Sequence, residues 1–277
     1  MSSTPHPSDA NDANGVNSTI STPVTSSTLA EAAGGNPVVE IRNVSKVFGK
    51  LRALDNFTMT INAGETYGLI GPNGSGKTTL IRAIVGLSKP TSGEVRILGH
   101  KMPNSVIAKD IGYMTQSYAL YTELTIRENL NFFGTIYGLH GQRLKQRVDE
   151  VLETVDLADR GSSIVETLSG GMKQRLSLAT SMIHEPRLML LDEPTVGIDP
   201  ELRLSFWEHF ARLNAKGVTI IVSTHHLDEA SRCHRLGLMR FGVLLAEDKP
   251  SELTRLSGKP TMEEAFLYYA TRHKGQA

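Results

Sequence analysis

The chain has 277 residues, enough for a sizeable core in one compact unit with subdomains. Its 29 Lys and Arg balance 29 Asp and Glu, so no basic field exists to hold nucleic-acid phosphates and no nucleic acid is expected as a partner. A single cysteine, Cys233, excludes an internal disulfide and fits a reducing compartment, where a small core thiol is the plain expectation.

Residues 1–36 are dominated by Ser, Thr, Pro, Asn and Ala, without one Lys or Arg. Too few large apolar side chains are present to offset the entropy of ordering them, so this stretch is expected to be a disordered tail. It carries no basic-then-apolar leader, and no apolar run in the chain approaches the roughly 18 residues of a membrane span. A cytoplasmic protein is expected. Val39–Val44 and Phe57–Ile61 alternate apolar and polar residues, as half-exposed antiparallel strands do, and Gly93–Leu98 is a further alternating strand. Phe48, in the first of these β regions, offers either an aromatic face for an adenine ring or an ordinary core side chain.

Tyr67–Ile70 is a short apolar run suited to a buried strand, and Thr79–Val85 is compatible with a helix. Between them lies Gly71-Pro72-Asn73-Gly74-Ser75-Gly76-Lys77-Thr78-Thr79, which fits the phosphate-loop pattern in the strand–loop–helix setting it requires. Glycines let successive backbone N–H groups turn toward phosphate oxygens, and the following helix adds its positive N-terminal end. Lys77 is expected to reach the β- and γ-phosphates of ATP, and the Thr78 hydroxyl to ligate Mg²⁺.

Ile111–Tyr113 reads as a strand leading to Gln116, a neutral side chain able to reach the metal or an attacking water. From about 117 to 180 the pattern turns helical, with Leu144, Val148, Val151, Leu152 and Val155 forming one stripe. Leu168-Ser-Gly-Gly171 then opens a helix over 172–184. Ser169 is a candidate N-cap, and Gly170 and Gly171 expose N–H groups, so a second anion site forms there. One nucleotide cannot fill both sites if they lie on opposite edges of a subunit, whereas two subunits placed head to tail cover each other's ATP.

Leu188–Glu193 is a buried strand ending in two carboxylates. Asp192 can hold the Mg²⁺ shell and Glu193 can polarise the attacking water. Asp199-Pro200 caps a helix whose Leu204, Trp207 and Phe210 are expected on its apolar face, ending at Gly217. Val218–Val222 is another buried strand, and Val222-Ser-Thr-His-His226 ends it with His225 placed to hydrogen-bond the γ-phosphate. Arg240–Val243 reads as a hairpin turn. The expected fold is an open, mainly parallel α/β sheet with a helical insertion and an antiparallel β patch.

In this order, the phosphate loop, Gln116, Leu168-Ser-Gly-Gly-Met172, Leu188–Glu193, Gly197-Ile-Asp199 and His225 resemble the ATP-binding cassette nucleotide-binding domain over about Val38 to Leu253. The resemblance implies a RecA-like phosphate-loop core from 37 to 253, an N-terminal antiparallel β subdomain, an inserted helical subdomain at about 117–180 and a short helical extension over 254–277. It puts Phe48 on adenine, Lys77 and Thr78 on phosphate and Mg²⁺, and Gln116 as a metal-sensing switch. It further puts Ser169, Gly170 and Gly171 on the opposing γ-phosphate, Glu193 as general base, Asp199 in the loop crossing the dimer, and His225 as switch histidine. Tyr113–Thr125, Glu128–Phe133, Leu244–Ala246 and Thr261–Phe266 look like the ATPase subunits of ABC-2 type exporters for drugs or sodium. That likeness implies a separate multi-span permease whose coupling helix meets the Ser117–Asn131 region, and a place on the cytoplasmic face of the membrane. An importer ATPase and a cassette protein without a membrane partner are the alternatives.

Overall fold

Two antiparallel strands, β1 (Pro37–Phe48) and β2 (Leu51–Asn62), come first among the described residues, joined by a turn in which Gly49 takes a left-handed φ of 57°. They belong to a four-stranded sheet of order β2-β1-β4-β5, with β4 at Ser92–Ile97 and β5 at His100–Lys101. Alternation is clean where one face is buried: Val39, Ile41 and Met59 point inward, and Glu40 and Thr60 outward. The computed structural model describes residues 36–274, so all but the last residue of the expected N-terminal tail lies outside the described residues.

The second sheet has the order β10-β9-β3-β8-β7-β6. Its strands are β3 (Thr66–Ile70), β6 (Ile111–Met114), β7 (Leu188–Asp192), β8 (Thr219–Thr224), β9 (Arg235–Arg240) and β10 (Val243–Asp248). All neighbours pair in parallel except β10, which turns back along β9 as the outer strand. Central strands are covered on both faces and are therefore apolar throughout, which is why β3 and β7 read as continuous hydrophobic runs. Odd and even positions feed different cores. Leu188 and Leu190 pack with β1, β2 and β4, whereas Met189 and Leu191 pack with the helices on the other face.

Helix α1 spans Lys77–Ile84, α2 Ile126–Ile136, α3 Gly141–Thr154, α4 Gly170–Met182, α5 Pro200–Ala215, α6 Pro250–Ser257 and α7 Met262–Lys274. Thr125 and Glu128 form a reciprocal capping box that starts α2. The expected stripe on α3 is buried at Val148, Val151 and Leu152, continues to Val155, and packs with α2 and α4. On α5 the apolar face differs from expectation. Leu204 is exposed, and Leu202 and Phe206 are buried beside Trp207 and Phe210. A run of three-residue steps rotates off a helix face, and the buried face here steps by four from Leu202 to Phe206 to Phe210, with Trp207 alongside. The boundary expected after Leu253 falls inside α6, and Ala265, Phe266 and Ala270 of α7 join the main core, so these helices pack on the sheet domain.

Candidate functional site

Parallel pairing carries the ends of β3, β8 and β7 to one edge of the sheet. Ile70 lies opposite Thr224, and Asp192 opposite Ser223, while Met114 at the end of β6 lies opposite Leu191. The segments that follow these strands are therefore neighbours, although up to about 150 residues separate them in sequence.

The phosphate loop Gly71–Gly76 leaves β3 and delivers the chain into α1 at Lys77. Two of its glycines are sterically required. A Cβ at Gly71 would sit 2.2 Å from the Met239 carbonyl oxygen, and one at Gly76, where φ is 106°, would sit 2.5 Å from that of Ala53. Lys77 is buried at the loop's centre and donates to the carbonyls of Gly71 (2.7 Å) and Pro72 (3.3 Å). Its ammonium also lies 3.3 Å from Glu193 Oε1. No acidic residue lies in the first turn of α1 itself, so its positive end is open to negative groups from elsewhere in the chain or from a ligand.

Glu193 follows β7 at a φ of 52°, a left-handed conformation unusual for a glutamate. Its backbone N–H is held by the Ser223 hydroxyl (3.0 Å) and carbonyl (3.1 Å). Its carboxylate meets Lys77, accepts from Gln116 Nε2 (3.1 Å) and stands 3.5 Å from His225 Nδ1. Asp192 accepts from the Ser223 hydroxyl (2.6 Å) and from Thr78 Oγ1 (3.3 Å) through Oδ1. Its other oxygen, Oδ2, is buried without a hydrogen-bond partner. A hydroxyl and a carboxylate with one orphaned oxygen form an all-oxygen donor set that suits a hard divalent cation such as Mg²⁺.

Thus Lys77, Thr78, Gln116, Asp192, Glu193 and His225 are brought together by four strand ends. A cavity of about 400 Å³ is lined by Lys77, Thr78, Gln116 and Glu193 of this group, together with Asn73, Gly74, Gly76 and Thr79 along the loop. A larger cavity of about 780 Å³ lies elsewhere, between α3 and α5, and holds none of the expected site residues.

Ser169, Gly170 and Gly171 do not line the phosphate-loop cavity. Ser169 caps α4, accepting from the Met172 N–H (3.3 Å), and Gly171 packs so tightly that a Cβ would meet Leu202 Cδ2 at 2.8 Å. Asp199 caps α5, accepting from the Leu202 N–H (2.9 Å). Phe48 is half-exposed at the β1–β2 turn with the Lys46 ammonium 4.9 Å above its ring, so the core alternative for it does not hold.

Comparison with known proteins fits this geometry. The family model described as ABC transporter matches residues 54–196. The linearmycin resistance ATP-binding protein LnrL of Bacillus subtilis is 37% identical over 241 residues, covering 83% of this chain and 78% of LnrL. This chain belongs to the ABC transporter family of ATP-binding proteins. The probable multidrug ABC transporter ATP-binding protein YbhF of Escherichia coli is 40% identical over 244 residues, which cover 86% of this chain. The chain spans only 42% of the length of YbhF. A dimeric post-hydrolysis structure of the ATP-binding cassette MJ0796, bound to ADP and Pi, superposes with a TM-score of 0.71 at 30% identity, covering 76% of this chain and 98% of that one.

Within this ABC transporter chain, two residues of the site have no motif of their own. Ser223 orients Asp192 through its hydroxyl and fixes the Glu193 backbone; its place two residues before His225 at a strand end is the signal that could have found it. Gln174 of α4 donates to the Pro194 carbonyl (2.6 Å) and so ties the Ser-Gly-Gly helix to the residue after Glu193. Nothing local in the sequence announces that contact.

Proposed function

We propose that this chain is the ATP-hydrolysing subunit of an exporter, working as a head-to-tail pair with a second copy or a homologous subunit, on a separate multi-span permease. The observation that carries the reading is the buried Lys77–Glu193 pair, met by Gln116 and His225 from the more open side, beside a cavity lined by the phosphate loop. Lys77 and the N–H groups of Gly74–Thr79 would hold the β- and γ-phosphates. Thr78 and Asp192, with Gln116 as a third candidate, would hold Mg²⁺, which when bound neutralises charge on the phosphate oxygens.

Glu193 would accept the proton of the water that attacks the γ-phosphorus. His225 and Gln116 would keep the carboxylate and that water in line, because a loose phosphoryl-transfer transition state needs chiefly positioning. Ser169, Gly170 and Gly171 would cover the γ-phosphate of the partner copy, with Asp199 at the junction and Phe48 against adenine. Closing on ATP and opening after its cleavage would then drive the permease.

Export is favoured by the names of the relatives, which cite multidrug transport and linearmycin resistance. The permease contact is assigned to the Ser117–Asn131 region, where Tyr118 and Tyr121 are exposed and the Tyr121 ring meets Phe132 of α2 edge-on at 4.6 Å. No helix among the described residues is long and apolar enough to cross a membrane. The chain would sit on the cytoplasmic face of the membrane through that contact. Purification of the tagged chain from detergent extracts tests the reading: a multi-span protein should co-purify. Recovery of ribosomes or assembly factors instead would sink the transporter assignment.

A further inference from the structure

We propose that Phe241, on the turn between β9 and β10, is an aromatic wall of the nucleotide-base subsite, packing against the purine ring in addition to Phe48. The inference rests on the nucleotide reading of the phosphate loop. Phe241 is 65% exposed, an unusual place for so large an apolar ring, and it lines the same cavity as Asn73, Gly74 and Gly76–Thr79. Phe48 does not line that cavity.

The backbone around Phe241 is held rather than loose. Gly242 donates to the Ser75 carbonyl of the phosphate loop (2.8 Å) and accepts from the Asp55 N–H (2.9 Å). A Cβ on Gly242 would meet the Ala53 carbonyl at 2.7 Å, so the turn is pressed against the start of β2. Phe241 itself sits at a φ of 51°, in the left-handed region that glycine or asparagine normally fills. A strained, exposed aromatic persists when its surroundings over-determine it, and such residues gather at ligand sites.

The Arg240 guanidinium lies 4.9 Å from the ring centroid and covers one face of it, leaving the other for a flat ligand. A nucleotide whose phosphates lie in the Gly71–Gly76 loop must carry its base past the mouth of this cavity. The Leu51–Ala53 segment and Phe241 line this cavity beyond the loop residues. Stacking tolerates any purine, so this wall would recognise the ring system more than its hydrogen-bonding edge.

Titration calorimetry with ATP and with inorganic triphosphate, in the absence of Mg²⁺, tests the assignment. Phe241→Gly suits the left-handed backbone and removes only the ring. It should weaken ATP binding about tenfold, as loss of one stacking contact does, and leave triphosphate binding unchanged. Phe241→Tyr should restore ATP affinity to within about twofold of the parent. Unchanged ATP affinity in Phe241→Gly would overturn the proposal. Equal loss for both ligands would also overturn it, by showing that the turn only supports the phosphate loop. A parent protein that binds neither probe would overturn the nucleotide site itself, and this inference with it.

Discussion

Glu193→Gln would separate the ion pair seen in the structure from the base role proposed for the same carboxylate. In the structure its charge is spent on Lys77 at 3.3 Å, both groups being almost fully buried. At an effective dielectric near 20 that attraction is about 5 kcal/mol, and the desolvation of two buried ions cancels most of it. Lys77 keeps the carbonyls of Gly71 and Pro72 whether or not the pair forms. A net worth of about 1–2 kcal/mol for the pair is therefore reasonable. An entering triphosphate must take Lys77 away from Glu193 and must approach a second negative charge. Both costs vanish with glutamine, which still accepts from Gln116. ATP binding, measured by calorimetry with EDTA present, should tighten about five- to thirtyfold.

Turnover should move the other way. An amide cannot accept the proton of the attacking water, and loss of a positioned general base lowers the rate by about a hundredfold or more. Single-turnover hydrolysis with Mg²⁺ reads this directly. A variant that hydrolyses ATP at the parental rate would remove Glu193 from catalysis. A variant whose EDTA-measured affinity equals the parent's would show that the Lys77 pair does not compete with nucleotide.

Lys77→Ala should lower ATP affinity by about tenfold or more, since a charge-assisted contact to phosphate is lost and Glu193 is left buried without its cation; unchanged affinity would contradict the phosphate assignment. Glu247 gives a pH test remote from the site. Burial pushes its carboxyl up to about 7 despite the Arg235 guanidinium at 2.7 Å and the Tyr67 hydroxyl at 2.9 Å. Between the ordinary carboxylate value and about 7, the folded chain holds a proton that the unfolded chain releases. This contribution is therefore complete below about 4.5 and fades as pH rises through about 7, by about 3 kcal/mol in all. Glu247→Gln should flatten the fall in melting temperature across that window, and an unaltered pH profile would refute it.

The parts of the fold that were legible in sequence are those where a local pattern has only one physical solution. Gly71–Thr79 must be a strand–loop–helix, and an apolar run ending in Asp192-Glu193 must be a central strand. Ser169 and Asp199 read as helix caps, and both are. Long-range packing left no such mark. Leu204 fits a three-residue step as well as Phe206 fits a four-residue one, and only the sheet beneath α5 decides between them. The cluster of Glu65, Tyr67, Arg235 and Glu247 joins residues up to 180 positions apart, with no periodicity to betray it. Phe241 reads as part of an ordinary hairpin until the Gly242–Ser75 hydrogen bond sets it over the phosphate loop.

Three helices among the described residues lack an acidic residue in the first turn: α3 at Gly141, and the two that start at the expected phosphate-binding corners, α1 at the phosphate loop and α4 at Ser169. By contrast α2, α5, α6 and α7 each carry a glutamate there, which compensates the positive end. Within one chain the α1 corner faces the cavity and the α4 corner does not, so a single nucleotide satisfies only one of them. A head-to-tail pair, as proposed, would satisfy both with the same triphosphate. The Gln174–Pro194 hydrogen bond then acquires a mechanical meaning, because it links the corner that would grip the partner's nucleotide to the residue beside this chain's own Glu193. A shift of α4 on closure would pull on the segment that sets the Glu193 carboxylate. Cleavage at one site would in turn be felt by the helix that holds the other.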